Sequence, residues 1–345
     1  MSRICNILLY LAAVLCTLFL TADLYLACQG NFIEGDKNLK KRFAFADKDE
    51  QAFVLKKAGW GAEPGLDDEA PRIKRIIWPN GMRECRPARE KKAPFKVAFL
   101  GCSYTFGTGV EAKDTMVWLL NERYPDVVFD NWGCYGWGPV QMTARLEKLL
   151  QDENYNLIVY NALPDHMTRN YKRRAIGILK AGESYIPVPY AEYNMLGHYK
   201  HYYVEDLYWP CQDRFLTVDF LKRSFYAYNT RLFEEKYDVG RGENRASSEL
   251  FGCCINNMYS LCFRNNVDFV VCSLEDKRDG RYDLFVLMDN PYIRCETVNL
   301  TMPNNESIFP CNRVLNNPKF HPNKNVHKYW AGKFSEWFDK RRASK

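Results

Sequence analysis

The chain has 345 residues, of which 47% are hydrophobic and 26% charged. This is an ordinary globular balance, long enough for one large α/β domain with insertions or for two modest domains, and it excludes a disordered chain and a collagen-like or coiled-coil rod. Lysine and arginine number 48 against 42 acidic residues, for a net charge of +6. No basic block longer than a few residues stands out, so the electrostatic footprint of a nucleic-acid binder is missing.

From Ile4 to Ala22 the chain reads ICNILLYLAAVLCTLFLTA without a charge, about the length a helix needs to cross the hydrocarbon core of a bilayer. A cleaved signal peptide has a shorter apolar stretch and a small-x-small site. Here the run is long and Asp23 stands where the cleavage region would begin, so residues 1–28 are expected to form an uncleaved signal anchor. Cys28 after Leu26-Ala27 hints at lipoprotein processing, but Tyr25 and Asp23 fit that pattern poorly. Arg3 precedes the segment while Lys37, Lys40, Lys41 and Arg42 follow it, against the positive-inside bias, which leaves the orientation open.

Residues 29–93 are charged and broken by Gly and Pro (GWGAEPG, WPNG, CRPAREKKAP). They read as a tether and an irregular lead-in to a domain spanning 94–345. The first strong strand is FKVAFLG, Phe95 to Gly101, an apolar run too short for a helix and ended by glycine. A helix through Thr115-Asn121, a strand Val127-Asp130, a helix Pro139 to Gln151 and a strand Leu157-Leu163 follow. A helix around Ser247-Arg264, the strand Val267-Ser273 and an amphipathic helix Val326-Lys340 repeat the rhythm. Alternation at this spacing predicts βαβ units and a parallel sheet.

Residues 171–245 interrupt the alternation with a cluster of Tyr185, Tyr190, Tyr193, Tyr199, Tyr202, Tyr203, Tyr208 and Trp209 near His198 and His201. Two readings stand: a platform or lid for stacking sugars, and a strand pair whose aromatics fill a small core of their own. Of the 13 cysteines, three belong to the anchor, leaving ten. An even number permits disulfides without requiring them, and scattered buried thiols are the plainer reading. No pair has CxxC spacing, so neither a zinc site nor any other metal or cofactor is expected.

The sharpest local feature is GCSYTFGTGV, Gly101 to Val110, directly after the first strand. Ligands of open α/β sheets bind at such carboxyl ends. Glycines on both sides let the backbone approach a substrate, and Ser103 between them is placed as a nucleophile with a backbone N–H beside it. The loop has neither GxGxxG spacing nor a P-loop ending, which argues against a nucleotide. Cys102 raises thiol chemistry, but its side chain should point away from its neighbour's and into the core. A serine needs a base. His166, His198, His201 and His321 could reach the crevice, and His321 in FHPN, just before the final helix, is best placed; His327 reads as structural.

A second loop, NWGCYGWG from Asn131 to Gly138, also follows a strand and could supply an oxyanion donor; a tight turn is its plainer reading. The third loop reads PDHMTR from Pro164 to Arg169.

Together, GCSYTFGTGV, NWGCYGWGPVQ, a strand ending in PDH, and FHPNKNVH resemble the SGNH/GDSL hydrolase superfamily over roughly residues 95–340. Similarity is greatest to membrane-anchored bacterial members whose first block reads G-x-S-x-T-x-G-x-G-V. The resemblance implies a flavodoxin-like three-layer sandwich with a serine esterase site: Ser103 as nucleophile, His321 as general base and Gly136 as the second-block oxyanion glycine. The chain departs from the pattern twice. Where the third-block asparagine is expected stand Asp165 and His166. Here His166 is the preferred replacement donor and Asn161 the reserve. Three residues before His321 stands Pro318, flanked by Asn316 and Asn317, so no aspartate is present to orient the imidazole.

The expectation is therefore a membrane-anchored esterase, run as a Ser-His dyad. It would act on small acyl esters, O-acetyl groups of carbohydrate above all, on the periplasmic or extracellular side. A catalytically silent glycan-binding or scaffold protein and an O-acetyltransferase are the alternatives. The carbohydrate assignment rests on the anchor, the aromatic insert and family analogy.

Overall fold

The computed structural model describes residues 2–29, 76–87, 93–170, 174–175, 186–187, 190–193, 198–202, 209–211, 214–218, 220–222, 224–225, 228, 245–274, 291–301 and 321–344. Helix α1 spans Ser2–Cys28, and its stretch Ile7–Cys28 is long and apolar enough to cross a membrane. Five strands form one parallel sheet: β1 (Phe95–Leu100), β2 (Val127–Asn131), β3 (Leu157–Ala162), β8 (Asp268–Ser273) and β9 (Glu296–Asn299). Between β3 and β8 the described residues include the short strands β4 (Arg174–Ala175), β5 (Ile186–Pro187), β6 (Tyr190–Tyr193) and β7 (Tyr199–Tyr202).

The sheet order is β2-β1-β3-β8-β9, the flavodoxin-like doubly wound order, whose direction reverses between β1 and β3. Strand β3, LIVYNA, is buried at every position, as a strand covered by helices on both faces must be.

Among the described residues, the helices that frame the sheet are α2 (Ser103–Phe106), α3 (Met116–Arg123), α4 (Pro139–Asp152), α5 (Asp165–Arg169), α6 (Arg245–Arg264) and α7 (Lys324–Ala343). The register splits the main ones between the two faces. Phe99 and Phe129 point one way, where Phe334 of α7 meets them at centroid separations of 5.0 and 6.4 Å; α3 packs with α7 on this side. Leu100 and its register partner Tyr160 point the other way, toward paired α4 and α6. This is the three-layer sandwich.

Local signals set the helix starts. Thr115 accepts the Trp118 N–H at 3.3 Å ahead of α3. Asn323 accepts the N–H groups of Asn325 and Val326 at 2.9 and 3.2 Å ahead of α7. Pro139 opens α4, where its missing N–H costs nothing.

Two regions show more structure than sequence spacing conveys. Residues 76–87 of the lead-in pack against the domain: the Arg83 N–H bonds the Asn131 carbonyl at 3.0 Å, and Ile77, Met82, Arg83 and Cys85 are buried. In the aromatic insert, β6 and β7 form an antiparallel pair. Buried Tyr190 stacks on Tyr202 at 4.9 Å, which is the strand-pair reading for the described part of the insert. The free thiols among the described residues include buried Cys85, Cys102, Cys134, Cys254, Cys262 and Cys272.

Candidate active site

Ser103 opens α2 directly after β1, at the carboxyl edge of the sheet beside the β1/β3 switch point. The turn is shaped by close approach. A Cβ on Gly101 would lie 2.2 Å from the Thr105 hydroxyl oxygen, so only glycine lets the chain double back here. One on Gly133 would lie 2.3 Å from the Phe106 nitrogen, so the β2–α4 loop sits flush against α2. Asn131 ties the same two segments: its amide donates to the Thr105 carbonyl at 2.9 Å, and its oxygen accepts the Gly133 N–H at 3.1 Å. The Cys134 N–H bonds the Gly101 carbonyl at 2.9 Å, fastening the loop that carries Gly136 to the turn that carries Ser103.

The serine is 7% exposed. Among the described residues, its hydroxyl has no hydrogen-bond partner, and neither do the backbone N–H groups of Ser103 and Gly136. Ser103 and Gly136 thus lie on two loops fastened together, each with a backbone N–H that no described residue accepts. Cys102 is buried, as its position in the strand-to-helix turn implied.

His321 lies immediately before α7, its ring edge-on to Tyr104 with centroids 5.8 Å apart. Tyr104 also leans on Trp330 of α7 at 6.3 Å. The structure thus brings His321 to the residue next to Ser103, although the two site side chains are not hydrogen-bonded to each other. Asn316, Asn317 and Pro318 lie outside the described residues.

The two third-block candidates fall on opposite faces of the sheet. Asn161 shares the α3/α7 face and donates to the Thr105 hydroxyl at 3.1 Å. His166, in α5, is fully buried; its Nδ1 is 2.7 Å from the Tyr160 hydroxyl and 3.4 Å from the Leu163 N–H. Accepting a backbone N–H fixes the tautomer with the proton on Nε2, an enclosed donor with no partner among the described residues. Burial, reinforced by Arg169, holds the ring's pKa well below 6.5, so it stays neutral.

His327 belongs to the scaffold: buried on α7, it accepts the Met116 N–H through Nδ1 at 3.3 Å and so links α7 to α3. His201, in the insert, pairs with the Tyr199 hydroxyl, and burial lowers its pKa to about 4.

Asn131, Gly133 and Thr105 are the site-shaping residues that motif reasoning passed over; the signal was the asparagine ending β2 ahead of a glycine. Arg145 is another. It is buried on α4, with its guanidinium 5.0 and 5.6 Å from the Trp132 and Trp137 ring centroids, and it backs the loop that carries Gly136. No cluster of three or more potential metal ligands occurs among the described residues.

A cleft of about 580 Å³ lies elsewhere, beside β1 and edge strand β2, lined by Trp78, Arg86, Lys96, Asp130, Trp132 and Glu153. Its charges are matched internally, Arg86 with Asp130 and Lys96 with Glu153.

No protein-family model matches the sequence, and no curated protein does. Among solved structures the chain is similar to a G-D-S-L family lipolytic protein from Veillonella parvula, at 12% identity and a TM-score of 0.39, covering 71% of this chain and 98% of that one. It is similar to a psychrotrophic esterase from Pseudoalteromonas at 10% identity and a TM-score of 0.40, covering 71% and 98%. A variant of an acetyl xylan esterase from Geobacillus stearothermophilus gives 14% identity and a TM-score of 0.35, covering 72% and 96%. The fold itself is established by the strand order and register of this chain.

Proposed function

We propose that the chain is a membrane-anchored serine esterase that cleaves small acyl esters, O-acetyl groups of carbohydrate above all, outside the cytoplasm. The observation that carries this reading is Ser103, its hydroxyl without a partner among the described residues, on a turn fastened by the Cys134 N–H to Gly101 carbonyl bond to the loop that carries Gly136. Ser103 Oγ attacks the ester carbonyl while His321 takes its proton, and the same imidazolium returns the proton to the leaving alcohol. The two N–H groups hold the tetrahedral oxyanion, with the Nε2–H of His166 as a third donor and the Asn161 amide in reserve. Water then releases the acyl group from Ser103; a sugar hydroxyl in its place makes the outcome transfer. The carbohydrate assignment is supported by the apolar N-terminal helix and by the resemblance to the SGNH/GDSL hydrolases.

The test is labelling of the full-length, detergent-solubilised chain with a fluorophosphonate, and its turnover of an activated acetyl ester, for wild type, Ser103→Ala and His321→Ala. Label and turnover in the wild type, lost in both variants, support the site. The absence of a hydrogen bond between Ser103 and His321 favours a second reading, a silent glycan-binding homologue. A folded wild type that neither labels nor turns over, but binds glycan equally with and without Ser103→Ala, establishes that one instead. A reporter fused after Lys345 reads topology, and a cytoplasmic signal sinks the export assignment.

A further inference from the structure

Helix α1 does not stand apart from the domain. Asp23, inside its apolar stretch, accepts the backbone N–H of Thr217 at 2.7 Å, and Phe19, one turn earlier, meets Phe215 edge-on at 5.2 Å. An acidic side chain near a membrane span is costly unless paired, and here its partner comes from the domain. Counting back from Cys28 at the end of the helix, Asp23 lies about 7 Å along the axis, the depth at which amphipathic helices lie in the bilayer interface.

The segment that makes these contacts carries an unusual surface. Residues 216–218, 220–222, 224–225 and 228 are helical. Phe220, Leu221, Phe225 and Tyr228 are between 45% and 64% exposed. Outside α1, the described residues expose only one other large hydrophobic side chain to this degree, Phe263 on α6 at 70%. Leu221, Phe225 and Tyr228 are spaced i, i+4 and i+7, the spacing of one helix face. Trp209 packs on Phe225 at 5.7 Å and adds an amphipathic ring beside the patch. Four large exposed apolar residues within nine positions are not scattered surface residues, and they continue from the point where the chain touches α1.

We propose that the segment carrying Phe215, Phe220, Leu221, Phe225 and Tyr228 is a second membrane-contacting element, lying in the lipid interface beside the end of α1 and holding the domain at a fixed attitude to the bilayer. The occupant of the patch is lipid, because the patch is continuous with the one helix of the described chain that is suited to a bilayer. The inference rests on α1 being a retained membrane span.

The test places a photo-reactive phenylalanine analogue at Leu221, Phe225 or Tyr228 of the full-length chain in phosphatidylethanolamine/phosphatidylglycerol vesicles. Phe263 is the exposed control, and Leu15 the control within α1. Expected are lipid adducts at all three positions, roughly tenfold above Phe263 and approaching Leu15. Adducts at Leu15 but only the Phe263 level at the three positions overturn the inference while leaving α1 in the membrane. Chain-to-chain adducts at Phe225 or Tyr228 overturn it in favour of self-association. No lipid adduct even at Leu15 removes the membrane reading of α1 and the inference with it.

Discussion

The imidazole of His321 lies edge-on to the ring of Tyr104, centroids 5.8 Å apart, so the residue following the candidate nucleophile packs directly on the candidate base. With no aspartate three residues upstream, this ring contact is one that helps orient the imidazole. An edge-to-face aromatic pair is worth about 0.5–1.5 kcal/mol. Tyr104→Leu is therefore expected to lower kcat on an activated acetyl ester by roughly two- to tenfold with KM little changed, since about 1.4 kcal/mol is tenfold in rate. Tyr104→Phe, which keeps the ring, should retain the wild-type rate. Equal losses in both would show that the hydroxyl, not the ring, matters.

Asn131 and Gly133 join the nucleophile turn to the oxyanion loop, and a change at either should damage both at once. Asn131→Ala strips a buried amide from the Thr105 carbonyl and the Gly133 N–H. Leaving buried groups unpaired costs about 1–3 kcal/mol each, so a loss of about 2–6 kcal/mol is expected in thermal or denaturant unfolding. Gly133→Ala places a methyl 2.3 Å from the Phe106 nitrogen. It should reduce fluorophosphonate labelling of Ser103 more than its effect on stability alone would explain, because the loop must lift away from α2.

Elements with strong periodicity were legible without coordinates. FKVAFL and LIVYNA are apolar, too short for helices and bounded by loops, and both are sheet strands. The serine between glycines after β1 led directly to the switch point. What stayed hidden has non-local causes. Strand β9, ETVN, buries only Val298, too weak a pattern to mark an edge strand. Residues 76–87 have no period because they follow the irregular rim of β2, and their burial depends on Asn131 and Phe129 rather than on neighbours in sequence. Asn161 is one step from Tyr160, so the two side chains face opposite helix layers, a division that only register reveals.

Acid should destabilise the fold through its buried histidines. Burial, with Arg83 as a smaller contributor, lowers the pKa of His327 to about 3; burial lowers that of His201 to about 4, and that of His166 lies well below 6.5. In the unfolded chain each titrates near its ordinary 6.5. Below that value the unfolded state binds more protons, so the stability is fully present above about pH 6.5 and drains as pH falls toward 3 to 4. Melting temperatures should be flat between about pH 7 and 8, below the range where the buried thiols begin to titrate in the unfolded chain, and fall between about pH 6.5 and 5, where carboxylates are still ionised. His327→Gln, which can still accept the Met116 N–H, should remove roughly a third of that slope; an unchanged slope would place the titration elsewhere.

Arg145 presents the opposite problem, a buried cation without a carboxylate. Burial lowers its pKa to about 10, its Nε has no hydrogen-bond partner among the described residues, and its offsetting contacts there are the faces of Trp132 and Trp137. A desolvated cation–π contact is worth about 2 kcal/mol, while the burial of an ion costs several; the two nearly cancel. Arg145→Met keeps the apolar stem between the indoles and removes the charge, so its stability should lie within about 1 kcal/mol of wild type or above it. Arg145→Ala opens a cavity between the two rings and should cost about 2–4 kcal/mol. If the two variants lose equally in denaturant unfolding, the charge itself holds the indoles together. The loop carrying Gly136 would then depend on a cation rather than on packing, and esterase activity would fall in the methionine variant as well.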